Sequence, residues 1–101
     1  MSRLFLFLLM VPCAAFAEAI RFQEDFPDLA LRGKVFDVPR ERSGRVHALM
    51  ARVYLKEIEI DAFVKSLPPV SKNWREEAER WNQLRREKYD LLVELRSLVA
   101  G

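Results

Sequence analysis

The longest regular pattern of apolar and polar residues runs from position 73 to position 100 and has the period of a helix. Apolar side chains recur on one face at roughly 100° per residue, while most charged side chains fall on the opposite face. No glycine or proline interrupts this stretch, and Ser71 and Asn73 stand before it as candidate caps. The pattern predicts one long amphipathic helix whose apolar face must be covered by another element.

A second helix is predicted over residues 45–67, where apolar residues again recur at helical spacing. This helix is apolar on more than one side, which predicts that it is covered from two directions. Residues 57–61 alternate in polarity and also fit a strand, but we assign them to the helix because their flanks are helical. Pro68 and Pro69 force a turn. A short connection makes helices pack antiparallel, so we predict a helical hairpin with the second helix the longer.

The beginning of the chain has the three parts of a secretory signal peptide. Arg3 provides the positive charge, a short apolar run follows, and Ala15 and Ala17 form a small-x-small cleavage site. The run is too short to span a membrane, which takes about 20 residues. We therefore expect residues 1–17 to be removed during export to the periplasm or the medium. Pro12 argues against lipidation of Cys13.

Residues 18–44 show no long pattern, and we expect an irregular segment followed by a linker. Positions 19–22 and 34–38 fit short extended stretches, and positions 25–33 fit a short helix. The basic stretch at 40–45 is interpreted as a solvated turn, with a contact to anionic lipid or an acidic envelope polymer as the alternative. The predicted fold class is therefore all-α: an antiparallel helical hairpin at 45–101 with an irregular or short-helical N-terminal segment packed across it.

Composition and motifs limit the classes of function. The chain has 101 residues with 17 Lys and Arg against 15 Asp and Glu, which gives no argument for a nucleic-acid partner. Its one cysteine lies in the signal peptide, so no disulfide is available to stabilise the exported domain. We find no phosphate loop, zinc-ligand spacing, nucleophile elbow or dinucleotide fingerprint. We therefore expect a protein that is not an enzyme and that uses no cofactor or metal.

Two groups of polar residues are candidate sites, and a simpler interpretation exists for each. His47 is the only histidine, and no second metal ligand or base lies near it on its predicted helix. Glu57 and Asp61 lie one turn apart and fit a cation site or an acid–base pair, but Lys65 follows Asp61 at the spacing of a helical ion pair. We interpret both groups as surface residues.

The remaining candidate is the apolar face of the long helix, which carries two tryptophans one heptad apart. Such a face serves either as a binding surface or as the core of the hairpin. Lys88 lies within it and fits either a register-setting charge or a side chain that extends to solvent. We expect a non-catalytic interaction or assembly module of the cell envelope that pairs with itself or with a protein partner. A membrane-surface helix is the alternative, and a small helical enzyme is less favoured. The predicted interaction face consists of Trp74, Trp81, Leu84, Lys88, Leu91, Leu95 and Leu98.

Overall fold

The computed structural model describes residues 17–100 and contains two strands followed by two helices. The strands are β1 (Ala17–Arg21) and β2 (Val35–Pro39), and the helices are α1 (Arg40–Ser66) and α2 (Trp74–Ala100). The predicted signal peptide, except for its last residue, lies outside the described residues. The helical hairpin is confirmed. The all-α prediction is wrong, because the N-terminal segment pairs into a small antiparallel sheet.

The two strands pair along their full length, with Glu18 opposite Val38 and Ile20 opposite Phe36. Ile20 and Val38 are buried, and the residues beside them in each strand are more exposed. This alternation places one face of the ribbon on the helices and leaves the other face to solvent. An isolated two-stranded ribbon is at best marginally stable in water, so packing on the helices is what stabilises this one.

The connection between the strands, residues 22–34, contributes buried side chains to the core, although most of its residues are exposed. Phe22 and Phe26 are fully buried and meet edge to face, with ring centroids 4.9 Å apart. The part predicted as a short helix forms hydrogen-bonded turns, in which the amides of Leu31 and Arg32 donate to the carbonyl of Asp28. The connection returns to the sheet through Gly33, whose φ of +66° is in the left-handed region that favours glycine.

Helix α1 begins earlier than the sequence pattern indicates. The predicted linker at 40–45 is its first turn and a half, so the second helix is not the longer one: both have 27 residues. Pro39 occupies the N-cap position with a φ of −54°, which leads directly from β2 into the helix. Gly44 lowers helix propensity, but the helix continues through it because Val46 and Leu49 in the next turn are buried.

The helices pack antiparallel along their length and are joined by ion pairs. In two neighbouring pairs, the cation comes from α1 in one and from α2 in the other. Lys56 Nζ lies 2.7 Å from Glu87 Oε2, and Lys88 Nζ lies 2.8 Å from Glu57 Oε1. Residues 57–61 are helical, as predicted. A slip of one residue in one direction would bring Lys56 to Lys88, and a slip in the other direction would bring Glu57 to Glu87, so these pairs oppose the wrong register. The other two interhelical pairs are Arg45–Glu94 and Glu59–Arg80.

The core is confined to one half of the hairpin, which we call the covered half. There the ribbon and its connection pack on Val46, Leu49 and Val53 of α1 and on the C-terminal turns of α2. In the other half, which we call the open half (residues 57–66, 74–85 and the turn between them), the two helices contact only each other among the described residues 17–100. Ile60 and Leu84 are the buried hydrophobic residues there.

Candidate interaction surface in the open half

The open half contains apolar residues at the same angular positions on the helices as residues that the ribbon covers in the covered half. In α2, Trp74 and Trp81 precede Leu92 and Val99 by 18 residues (92 − 74 and 99 − 81), which is about five turns at 3.6 residues per turn. Each pair therefore has the same angular position on the helix. Leu92 and Val99 are buried, whereas Trp81 is half-buried and Trp74 is 61% exposed.

Helix α1 follows the same rule at Val64, which follows Val46 by 18 residues (64 − 46). Leu67 lies just beyond the end of α1, in an extended conformation, and adds to the same apolar surface. Val46 and Leu49 are buried under the ribbon, while Val64 is 44% exposed and Leu67 is half-buried. Both helices thus present to solvent, in the open half, the apolar flank that they bury in the covered half.

These exposed positions line one groove of about 400 Å³, which we call the tryptophan groove. Its residues are Val64, Leu67, Trp74, Glu77, Ala78 and Trp81. The turn holds the groove at its end, because Ser71 Oγ donates to Glu77 Oε1 at 2.6 Å and accepts from the amide of Asn73 at 3.0 Å. The lone carboxylate of the groove therefore has a partner within the turn.

A basic and aromatic surface continues the groove along α2. A second cavity, of about 520 Å³, is lined by Asn82, Arg85, Arg86, Lys88, Tyr89 and Leu92. The guanidinium of Arg85 lies 5.6 Å from the Trp81 ring centroid, and that of Arg75 lies 5.2 Å from the ring of Trp74. At roughly 100° per residue, Glu87 and Glu94 fall on the far side of α2. Glu79 and Asp90 lie at the edge of this flank, within about 40° of Arg86. The flank is therefore rich in arginine and has acidic residues along one edge.

The structure separates the residues of the predicted interaction face into two groups. Leu84, Leu91 and Leu95 are buried, and Leu98 is partly buried against the core. Lys88 forms its ion pair with Glu57, whose Oε1 receives no hydrogen bond of acceptable angle, so the contact depends on charge and proximity. The two tryptophans alone belong to the groove. Sequence analysis missed Val64, Leu67 and Ala78, although the 18-residue spacing on each helix is visible in the sequence.

Of the polar candidates, His47 and Asp61 lie on the surface, whereas Glu57 is partly buried and pairs with Lys88 of α2. His47 Nε2 is 2.8 Å from Glu18 Oε2, and both side chains are largely exposed. Asp61 Oδ2 is 2.9 Å from Lys65 Nζ, which is the helical ion pair that the spacing predicts. Over residues 17–100, no three His, Cys, Asp or Glu side chains come together in a way that would hold a metal ion.

One carboxylate fixes the ribbon connection to the end of α2. Asp28, whose side chain is 3% exposed, accepts hydrogen bonds from Arg96 Nε at 2.6 Å and Arg96 Nη2 at 2.8 Å, and from the amide of Ala30 at 3.0 Å. The Arg96 bonds are the main cause that lowers the pKa of Asp28, and they outweigh the burial that would raise it. This contact joins the ribbon connection to α2 in the covered half. The equivalent position in the open half, five turns before Arg96, is Ala78, whose side chain cannot form such a pair.

Comparison of this chain with protein-family models, with curated proteins and with solved structures finds no match in any of the three. Of the helices between residues 17 and 100, neither has the length and apolar character needed to span a membrane.

Proposed function

We propose that the protein is a small exported, non-catalytic interaction module of the cell envelope, and that its docking surface is the tryptophan groove with the adjoining basic flank. The observation that carries this proposal is the five-turn equivalence between buried and exposed positions. Leu92 and Val99 are buried in the half that the ribbon covers, whereas Trp74 and Trp81 lie on the same flank of α2 in the half that it does not cover. A partner bound there would cover the two tryptophans as the ribbon covers Leu92 and Val99.

The chemistry of the surface describes the partner. The apolar end, between Trp74 and Trp81, fits an apolar anchor, and exposed tryptophans are frequent energetic centres of interfaces. Arg75, Arg85 and Arg86 stand beside it, and the acidic side chains of α2 lie mostly elsewhere. The surface therefore fits an amphipathic protein segment with acidic residues, for which arginine is the usual partner.

The test places a photo-crosslinking phenylalanine analogue at Ala78, inside the groove, in the organism that makes the protein. The matched control places it at Glu79, the next residue, which is exposed outside the groove. We expect a protein adduct from position 78 alone, and we expect Trp81→Ala and the Arg85→Glu/Arg86→Glu pair to reduce it at least tenfold. Equal adducts from positions 78 and 79, or adducts that ignore both changes, would overturn the proposal.

A membrane surface is the second candidate, and the same cationic, aromatic flank favours it. Tryptophan, tyrosine and arginine are typical of helices that lie in a bilayer interface. The concave shape of the groove favours a protein segment instead. Vesicles that contain phosphatidylglycerol distinguish the two: co-sedimentation that Arg85→Glu/Arg86→Glu abolishes supports the membrane, and none at low salt excludes it.

A further inference from the structure

The solvent face of α1 carries a second apolar surface, which we call the outer seam. It consists of Gly44, Ala48, Ala51, Leu55, Ile58 and Ala62, and all six are exposed. Their spacing alternates between four and three residues, which is the heptad repeat of a helix-to-helix contact. Leu55 is 64% exposed and Ile58 is 66% exposed. As the sequence predicted, α1 is covered from two directions in the covered half, by α2 and by the ribbon, and the outer seam lies apart from both contacts.

We propose that the outer seam pairs with the outer seam of a second copy, with the two α1 helices antiparallel about a twofold axis. In that arrangement, two residues, one from each copy, lie at the same level along the helix axes when their numbers add to 106. Ile58 then meets Ala48, Leu55 meets Ala51, and Gly44 meets Ala62. Each large side chain thus faces a small one, which allows the helices to approach closely and interdigitate.

A parallel pair would lack this complementarity. Each residue would then lie at the height of its own copy, so that Leu55 would face Leu55 and Ala51 would face Ala51. The large side chains would hold the helices apart where the small ones leave gaps. Gly44 also fits the antiparallel arrangement, because apart from its chain neighbours and its own helix backbone no atom of residues 17–100 lies within 4 Å of the position of an added Cβ. The space beside it is free for the partner helix.

The charges beside the seam also favour the antiparallel pair. In antiparallel coiled coils, flanking residues on the same side of the two helices come together. Arg45 then lies near Glu59 of the second copy, and His47 lies near Asp61 of the second copy, each with an axial offset of about 3 Å at 1.5 Å per residue. These contacts would add to the pairs that the same side chains already form within their own chain. Arg52 meets its own copy at the axis. This cation shares a cavity with Asp90 and Glu94, which offset that like-charge contact.

The outer seam and the tryptophan groove lie on different sides of α1. At roughly 100° per residue, Val64 of the groove and Leu55 of the seam are about half a turn apart on the helix. Pairing through the seam therefore leaves the groove free, and the inference does not depend on the proposed function. A seam of one helix face buries less area than a standard interface, so we expect a dissociation constant on the order of 10–100 µM.

The first experiment tests the register by disulfide formation in a Cys13→Ser background, in which the introduced thiols are the only ones. Gly44→Cys/Ala62→Cys leaves Leu55 and Ile58 in place, and its two thiols are about 27 Å apart on one helix at 1.5 Å per residue. We expect this double variant to form a covalent dimer under mild oxidation at 100 µM, and each single variant to stay mostly monomeric. Equal dimer from a single variant would overturn the antiparallel register.

The second experiment measures association directly by sedimentation of the purified protein from 5 µM to 1 mM. We expect a monomer–dimer equilibrium, and we expect Leu55→Gln/Ile58→Gln to weaken it at least tenfold without loss of helical content. Leu29→Gln, which changes an exposed leucine in the ribbon connection, is the matched control and should leave the equilibrium unchanged. A monomer over the whole range, or a dimer that ignores the seam changes, would refute the pairing.

Discussion

Replacement of Asp28 by Asn tests whether the ribbon connection is held on α2 by one buried carboxylate. The change preserves the shape of the side chain and removes its charge. The carboxylate of Asp28 accepts three hydrogen bonds, two from Arg96 and one from the amide of Ala30. In Asn, an NH2 group replaces one of the two carboxylate oxygens. This group donates hydrogen bonds, so it cannot accept the one from the N–H group that faces it.

The expected loss is about 2 kcal/mol of unfolding free energy. Hydrogen bonds to charged groups contribute about 1.5–3 kcal/mol, and loss of one partner of a buried ion pair costs about 3–5 kcal/mol. The lower figure applies because the Arg96 side chain is 43% exposed and regains water when its partner is gone. For a domain of this size, about 2 kcal/mol lowers the melting temperature by roughly 8–16 °C.

Urea unfolding followed by circular dichroism is the assay, because urea adds no salt that would screen the pair. Asp61→Asn is the matched control, since it removes the carboxylate of the exposed pair with Lys65, and exposed pairs contribute little. If Asp28→Asn and Asp61→Asn unfold at the same urea concentration as the parent protein, the carboxylate does not hold the connection in place.

The pH dependence gives an independent check on the same contact. The pKa of Asp28 is lowered in the folded protein, chiefly by the hydrogen bonds from Arg96. The unfolded chain therefore binds the proton first, and stability rises with pH in that range. The contribution of Asp28 is complete above about pH 5 and is lost as the pH falls through the lowered folded value. Asp28→Asn should lose stability less steeply than the parent protein below about pH 4.

Four further changes have expected outcomes in thermal or urea unfolding. Leu95→Ala should cost about 2–5 kcal/mol, because the side chain is fully buried between the helices; a cost below that of Leu55→Ala would contradict the placement of the core. Gly33→Ala should cost about 1 kcal/mol, because alanine is strained at a φ of +66°, whereas Gly44→Ala, in a helix with free space beside it, should stabilise. Trp74→Ala should leave stability nearly unchanged, since its ring is mostly exposed, and a large loss would place the ring in the core.

The helices were predictable because their signals are local. The start of α2 follows from Pro68 and Pro69 and from the polar residues after them, and its length follows from an uninterrupted helical period. The start of α1 was missed because Ser43 and Gly44 favour a turn in isolation. The burial of Val46 and Leu49 under the ribbon overrides that local preference, and such burial is not visible in the local sequence.

The strand pair was missed because its signal is not local. Each strand has five residues, and the two segments that we expected to be extended are separated by residues 22–34. Nothing within either segment specifies the partner, which is chosen by the fit of Phe22 and Phe26 to the helices. For the site, both tryptophans were predicted and the groove was not, because its other wall comes from α1 and depends on where the ribbon ends.

The uneven distribution of tertiary contacts along the hairpin has a consequence for its breathing motions. Transient local opening takes the least free energy where few apolar contacts hold the helices, so fraying should start at the turn and stop near Val53 and Leu91. Amide protons around Trp81 should accordingly exchange with deuterium sooner than those around Leu95. Any molecule bound in the tryptophan groove would reduce this motion, and would raise the melting temperature by an amount that grows with the logarithm of its concentration above the dissociation constant.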